Sequence, residues 1–236
     1  MRAPSRTANS LPAALTLAFV MVAGCAGGRA KSGVMTRAAD GGGSWKPRTV
    51  GMLFPQLAPG SMPDRAAVGS DRPFMGSEIN AVVHAALRKA LEATAGGEVH
   101  DLSATAPARE RMALLATVIL REYWLNGTIP PKPVGELGRV SQCDAVLVVS
   151  VIKFGPSLRP LMVKNLGGDI RTDGSRSGAG GRWLNCGVKI ALVKVATAMP
   201  VWEAAYLESR PDDGNTQEMV AAACVEKLLD EYPYKK

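Results

Sequence analysis

Apolar residues along the chain follow two different periods, and each period predicts one kind of element. Five segments carry short runs of aliphatic and β-branched residues that are typical of strands. The most apolar run, 144–154, predicts a central strand that is covered on both faces. Residues 184–195 and 201–209 lie on either side of a turn and predict an antiparallel hairpin. Shorter strands are expected at 49–54 and 98–102.

Four other segments repeat their apolar residues at the three- and four-residue spacing of an amphipathic helix. The clearest begins near Ser77, a residue suited to the N-cap, and ends before Gly96. Its apolar stripe consists of Ile79, Val82, Val83, Ala86, Leu87, Ala90 and Leu91. The second opens at Pro107, a short third helix precedes Cys143, and the last follows Asn215. Further apolar residues widen the stripe of the second helix, which we therefore expect to be largely covered: Leu114, Val118 and Leu125.

The elements come in the order β-α-β-α-α-β-β-β-α. This alternation, followed by a hairpin, predicts one α/β domain: a three-layer sandwich with a mixed sheet. The domain is expected to span residues 48–236, with its folded part ending near Tyr232. We find no internal repeat at the spacing of solenoid proteins.

Residues 1–24 have the parts of a secretory signal. A basic start at Arg2 and Arg6 leads into an apolar stretch at 11–22, shorter than the roughly 20 residues of a membrane-spanning helix. The tetrad Val22-Ala23-Gly24-Cys25 resembles the lipobox of bacterial lipoproteins, in which the cysteine is acylated and becomes the new N-terminus. Acyl chains such as palmitate would anchor the protein, since each buried methylene contributes about 0.8 kcal/mol. The alternative is an ordinary signal peptide beside a chance cysteine.

The segment from Cys25 to residue 47 is rich in glycine, alanine and charge and has no apolar period. We interpret it as a lipidated N-terminus and a flexible tether. In Gram-negative lipoproteins an aspartate after the acylated cysteine resembles a signal for retention in the inner membrane. Ala26 stands there in this chain, which implies the periplasmic face of the outer membrane.

The charge is modestly basic, +7, and part of it lies in a long segment between two core strands, 155–182. Two carboxylates, Asp169 and Asp173, stand there against five cations that form a candidate contact loop: Arg159, Lys164, Arg171, Arg176 and Arg182. Such a loop is either functional or a mobile insert. As a contact surface it would bind an envelope protein or, alternatively, a cell-wall polymer. A periplasmic address and the lack of an aromatic and basic array argue against nucleic acid.

Chemical motifs give no catalytic, cofactor or metal site. His84 and His100 are the two histidines, and neither has another ligand at metal-binding spacing. Cys224 falls in a helical stripe and, like Cys143 and Cys186, lies outside any zinc spacing; a disulfide among the three stays open. The glycine-rich stretch 174–181 fits neither a nucleophile elbow nor a phosphate-binding loop, and its neighbouring aspartates give an incomplete calcium loop.

Two short signatures resemble a known group. Residues 143–148, Cys-Asp-Ala-Val-Leu-Val, are similar to a strand start, and residues 192–202 are similar to a hairpin ending in Trp202. Both resemble the superfamily of small envelope lipoproteins that includes penicillin-binding-protein activators, curli-secretion lipoproteins and the N-terminal domain of the Tol-Pal translocation protein. Lys194 and Ala198 depart from the hairpin pattern, which has an acid and a glycine there. Because a positive φ is costly without glycine, a different turn is expected.

The resemblance implies a non-catalytic accessory or interaction protein in envelope assembly or cell-wall synthesis. Two alternatives remain open. One is a subunit of a secretion or outer-membrane assembly complex. The other is a periplasmic hydrolase or ligand-binding protein whose site the sequence does not reveal.

Overall fold

The computed structural model describes the chain in six pieces, residues 34–38, 45–58, 61, 76–103, 109–174 and 181–236. Nine strands lie in these pieces: β1 (Met35–Ala38), β2 (Thr49–Met52), β3 (Gln56–Leu57), β4 (Glu98–Asp101), β5 (Ala145–Ser157), β6 (Leu161–Val163), β7 (Ile170–Thr172), β8 (Trp183–Lys194) and β9 (Met199–Pro211). The helices are α1 (Gly76–Thr94), α2 (Arg109–Asn126), α3 (Pro131–Ser141) and α4 (Gln217–Leu229). None of the helices in the described pieces is long and apolar enough to cross a membrane.

Seven strands form one mixed sheet in the order β1-β9-β8-β5-β2-β4, with β3 also pairing to β5. Strand β2 is parallel to β4 and to β5, whereas β5, β8 and β9 are antiparallel neighbours. The predicted order of elements is confirmed, and the predicted central strand β5 indeed has partners on both sides. Four short strands, β1, β3, β6 and β7, had no counterpart in the prediction.

Helices cover both faces of the sheet, so the domain has the three layers that the sequence predicts. Along β5, Leu147 and Val149 face the core beneath α1 and α4. Val146 and Val148 point the other way, into a second core beneath α2 and α3. All four side chains are fully buried. A strand with two buried faces needs an uninterrupted apolar run, which is the pattern that identified it.

Helix α2 is less covered than expected. Leu114 is 66% exposed, and Val118 is also exposed, so the expectation that the widened stripe would be buried is wrong for these two residues. The main contacts of α2 are with α3 and one end of β5, which cover only the side that carries Met112, Ile119 and their neighbours. Pro107, predicted to open this helix, lies outside the described residues.

Part of the segment assigned to the tether is an edge strand. Met35–Ala38 pairs antiparallel with β9, Met35 opposite Ala205 and Ala38 opposite Trp202. Arg37 adds an ion pair to Glu203 of β9. Four residues are too few for a sequence pattern, and their strand conformation depends on pairing with β9.

Two of the described residues other than glycine adopt a positive φ. Ala198, in the turn between β8 and β9, has φ of 52° and is buried in the second core. The left-handed conformation is therefore kept despite the alanine, and the expectation of a different turn is wrong at this residue. Gln142 has φ of 57° and caps α3, its amide donating to the Gly138 carbonyl.

Candidate contact surface

The described part of the segment predicted as a contact loop continues β5 and then forms a separate two-stranded sheet. Its first residues, through Ser157, continue β5 and pair with the start of β8. Strands β6 and β7 then pair with each other in an antiparallel hairpin, Val163 opposite Ile170. We call residues 158–174 the basic hairpin. Residues 175–180, including Arg176, lie outside the described part of the chain.

One face of the basic hairpin packs on the sheet. Leu161, Val163 and Ile170 lie in a third apolar cluster, together with Ile152, Ala205 and Leu207 of β5 and β9. Met35 of β1 packs against the same cluster. The hairpin therefore covers the sheet face that α2 and α3 leave open, at the end where β1 begins.

Hydrogen bonds hold both ends of the basic hairpin. At its tip, the Lys164 amide donates to the Asp169 carbonyl at 2.7 Å, and the Asn165 side-chain amide donates to the Asp169 carboxylate at 2.8 Å. At its base, the Leu161 amide donates to Ser209 Oγ at 3.3 Å. These bonds define the path of a segment that its glycine content alone would leave mobile.

A buried polar network lies beneath the base. Asn185 Nδ2 donates to the Gly155 carbonyl at 3.0 Å and to Ser157 Oγ at 2.8 Å. Its Oδ1 accepts from Ser209 Oγ at 2.8 Å, and its carbonyl accepts from Gln217 Nε2 at 2.6 Å. Asn185 thus links β5, β8, β9 and α4. The signal in the sequence was a lone asparagine inside an apolar strand.

The predicted cations separate into two groups. Arg159, Lys164 and Arg171 are exposed, and none of them forms an ion pair with the described part of the chain. Arg182 instead pairs with Asp212, its Nε lying 3.3 Å from Oδ2, so its charge is engaged. Cys25, the predicted lipidation site, lies outside the described residues, as does Arg176.

A second polar cluster, which the sequence did not reveal, lies at the carboxyl end of β4. Asp101 Oδ1 accepts from Ser103 Oγ at 2.6 Å and lies 3.2 Å from His84 Nε2. Ser103 Oγ lies 3.3 Å from the same imidazole nitrogen. Burial alone would raise the pKa of Asp101, but the bonds from Ser103 and the nearby His84 outweigh it and lower that pKa. A serine relay needs the acid and the hydroxyl on opposite ring nitrogens, whereas here both oxygens lie at His84 Nε2.

His100 does have partners on both ring nitrogens. Cys143 Sγ lies 3.6 Å from Nδ1, and Glu98 Oε1 lies 3.0 Å from Nε2. The thiol is nevertheless buried, and burial raises the pKa of Cys143, which disfavours the reactive thiolate. The triplet is therefore a poor nucleophilic site.

Cys186 and Cys224 are neighbours in the first core. Both are fully buried and free. The adjacent Cys224 thiol and complete burial raise the pKa of Cys186 well above its ordinary value. Among the described residues, no three His, Cys, Asp or Glu side chains come together in a way that could hold a metal ion.

An apolar cavity of about 320 Å³ lies beside the cluster of His84, Asp101 and Ser103. Its walls come from the end of β2, the end of β4 and one side of α2, and include Phe54, Leu102, Ser103 and Met112. In α/β sheets, ligands bind outside the carboxyl ends of parallel strands, which is where this cavity lies.

Comparison with known proteins gives structural likenesses only. No family model matches the chain, and no curated protein sequence does. A PelC dodecamer from Paraburkholderia phytofirmans is 15% identical with a TM-score of 0.40, over 83% of this chain and 94% of the other. A lipoprotein from Neisseria meningitidis is 14% identical with a TM-score of 0.37, over 75% and 92%. A hypothetical protein from Chlamydia trachomatis is 10% identical with a TM-score of 0.43, over 78% and 91%.

The chain is thus similar in structure, at low sequence identity, to a lipoprotein and to a protein that forms a dodecamer. The finer assignment to the superfamily of penicillin-binding-protein activators and curli-secretion lipoproteins stays a prediction.

Proposed function

We propose that the protein is a lipoprotein anchored at the periplasmic face of the outer membrane, where it acts as a non-catalytic interaction protein. The observation that carries the proposal is the sequence Val22-Ala23-Gly24-Cys25, which follows a short apolar stretch and precedes a folded domain. A cysteine in that context is the substrate of lipid attachment. The first strand in the described part of the chain begins at Met35, ten residues after Cys25.

The geometry of the polar clusters supports an interaction role over a hydrolytic one. Ser103 and Asp101 approach the same nitrogen of His84, and the Cys143 thiol is buried with a raised pKa. The basic hairpin carries three exposed cations, Arg159, Lys164 and Arg171, that have no counter-ion in the described part of the chain. A surface of this kind suits binding of an anionic partner in envelope assembly or cell-wall synthesis.

Fractionation of a Gram-negative host that expresses the full chain tests this proposal. We expect the protein in the outer membrane, with a palmitate analogue incorporated. The variant Cys25→Ser should incorporate no label and should leave that fraction, because it has no acceptor thiol. Equal membrane retention and labelling of both proteins would contradict the proposal.

A second candidate function follows from the apolar cavity beside Ser103. A ligand-binding protein would use this cavity, since apolar pockets with a few polar groups are the usual sites for small molecules. Met112→Trp would fill it from α2, while Leu114→Trp adds the same ring on the exposed side of that helix. Binding of an apolar fluorescent probe that is lost only with Met112→Trp would favour this function. Unchanged binding in both variants would count against it.

A further inference from the structure

We propose that the basic hairpin rests on the anionic lipid surface of the membrane that holds the acyl anchor. The inference depends on the proposed function, because it requires the anchor at Cys25, and it names the partner of the contact surface. The partner is a bilayer containing anionic headgroups such as phosphatidylglycerol. The direction of β1, the length of the tether and the outward face of the hairpin carry the proposal.

The chain enters the domain at the hairpin end of the sheet. Strand β1 pairs antiparallel with β9, beginning opposite Ala205 and ending opposite Trp202. The amino end of β1 therefore points toward Leu207 and Ser209, farther along β9. The hairpin lies at this end, since Leu207 contributes to the cluster beneath it and Ser209 accepts from the Leu161 amide.

The part of the tether that precedes β1 limits the distance between Cys25 and the domain. Nine residues lead from Cys25 to Val34, the first described residue before β1. A fully extended chain of that length spans at most about 32 Å, and a flexible one spans less on average. Met35 packs against the cluster that carries the hairpin. The amino end of β1, to which the tether leads from Cys25, and the basic hairpin therefore lie at the same end of the sheet.

The outward face of the hairpin combines cations with apolar side chains. Arg171 lies opposite Met162 in the register of β6 and β7, on the side away from the packed pair Val163 and Ile170. Leu158, at the start of the hairpin, is 63% exposed. It is followed directly by the exposed Arg159. Cations beside an exposed leucine suit a membrane interface, where the apolar group enters the headgroup region and the cations meet phosphates.

The hairpin also carries two carboxylates, Asp169 and Asp173. Asp169 accepts from the Asn165 side chain at 2.8 Å, and Asp173 also has a partner. They reduce the net charge of the hairpin, on which Arg159, Lys164 and Arg171 have no counter-ion in the described part of the chain. A cation near an anionic bilayer improves binding by roughly fivefold. Because the contributions of neighbouring cations do not add fully, we expect removal of all three to weaken contact by at least about tenfold.

Site-specific fluorescence on the lipidated full-length product tests the proposal. An environment-sensitive dye is attached at Leu158→Cys, and the protein is reconstituted into vesicles of phosphatidylcholine with or without phosphatidylglycerol. The matched control is Met219→Cys on α4, an exposed position (48%) on the opposite face of the sheet. The native thiols described by the structure are buried and will label slowly. Intact mass confirms the acyl chains at Cys25 in each sample.

The dye at position 158 should shift to the blue with phosphatidylglycerol, and the dye at 219 should not. The shift should fall when salt rises from about 0.1 M to about 1 M, where the Debye length drops from about 10 Å to about 3 Å. Changing Arg159, Lys164 and Arg171 to Gln should remove the blue shift of the dye at position 158. The same change at three exposed lysines elsewhere, Lys89, Lys132 and Lys227, should leave the shift unchanged.

Two other results would overturn the proposal, and they differ from each other. If the protein is acylated but the dye at 158 responds equally to both vesicle types, or responds only to isolated cell wall, the hairpin inference fails and the proposed function stands. If Cys25 carries no lipid, the proposed function fails and the hairpin inference falls with it.

Discussion

Arg37 of the edge strand β1 forms an ion pair with Glu203 of β9, so the segment that leads to the anchor is held by a side chain as well as by backbone pairing. The carboxylate of Glu203 is buried and also accepts from the Tyr123 hydroxyl at 2.8 Å. Lys189 lies over the Tyr123 ring at 4.3 Å. The four side chains join β1, α2 and the centre of the sheet.

The two ends of this ion pair should differ in their importance for stability. Glu203→Gln leaves the partly buried Lys189 without its neighbouring anion, and we expect a loss of about 2–3 kcal/mol. Arg37 is 62% exposed, so Arg37→Ala should cost at most about 1 kcal/mol. Urea unfolding of both variants measures the difference. A larger loss for Arg37→Ala than for Glu203→Gln would contradict this description of the cluster.

The backbone at Gln142 gives a second prediction. Its side chain is exposed and its φ of 57° is unfavourable for a residue with a Cβ. Gln142→Gly should therefore stabilise the protein by about 1 kcal/mol. Gln142→Ala keeps the strain and serves as the control, with little expected change. The midpoint of urea unfolding should rise for the glycine variant alone, at an unchanged slope.

Asn185 should contribute more to the stability of the fold than Ser150, a buried polar residue without a partner in the described residues. Asn185→Ala removes the centre of the network beneath the hairpin and should cost about 2–3 kcal/mol, because Ser157 and Ser209 lose a buried partner. Ser150 is buried in β5 and its hydroxyl has no partner in the described residues. Ser150→Ala should thus be neutral or slightly stabilising.

Hydrogen exchange of backbone amides measures the local effect of the same Asn185→Ala substitution. Amides of β6 and β7 should exchange faster in Asn185→Ala than in the parent, while those of 145–154 stay among the slowest in the protein. Fast exchange in the central strand of the parent, with a protected hairpin, would contradict the fold.

Stability should fall at alkaline pH. Burial, with Glu203 nearby, raises the pKa of Tyr123, and burial with Tyr234 raises that of Tyr232. The pKa values of Cys143 and Cys186 are raised as well. The ordinary pKa is 9.0 for cysteine and 10.0 for tyrosine. As the pH rises above these values, the groups ionise in the unfolded chain before they ionise in the folded protein, which favours unfolding.

Lys189 changes the stability in the opposite direction. Burial lowers its pKa, although the nearby Glu203 acts to raise it. The cost of burying its charge disappears as pH rises. This gain comes from one group, whereas the four tyrosine and cysteine side chains lower the stability. Urea unfolding between about pH 7 and pH 11 should show the net loss, up to about 1.4 kcal/mol per pH unit for each group involved. Tyr232→Phe should make the decline shallower above pH 10. A stability that rises from pH 9 upward would contradict these assignments.

The sequence predicted the fold where a pattern had only one physical explanation. The run at β5 can be buried on both faces, and the stripe of α1 can be buried on one, so both were predicted correctly. The strand β1 was not, because four residues gain their conformation from pairing with β9, far along the chain. The exposure of Leu114 was also missed, since periodicity shows which residues could be covered and not whether a neighbour covers them.

The candidate surface was predicted by its charges but not by its structure. Glycines and prolines between two core strands indicated a loop, whereas the alternating inward residues Leu161 and Val163 form a hairpin strand too short to recognise. The cluster of His84, Asp101 and Ser103 was missed because α1 and β4 must pack before its members meet. Only the bond between Asp101 and Ser103, two residues apart, had a local signal.

The central claim is the lipid anchor, and intact mass spectrometry of the processed protein tests it most directly. We expect a single N-terminus at Cys25, carrying two or three acyl chains, with residues 1–24 absent. Fragmentation should place the added mass on Cys25 itself. An unmodified N-terminus at any other residue, or a mature Cys25 without acyl chains, would contradict the account.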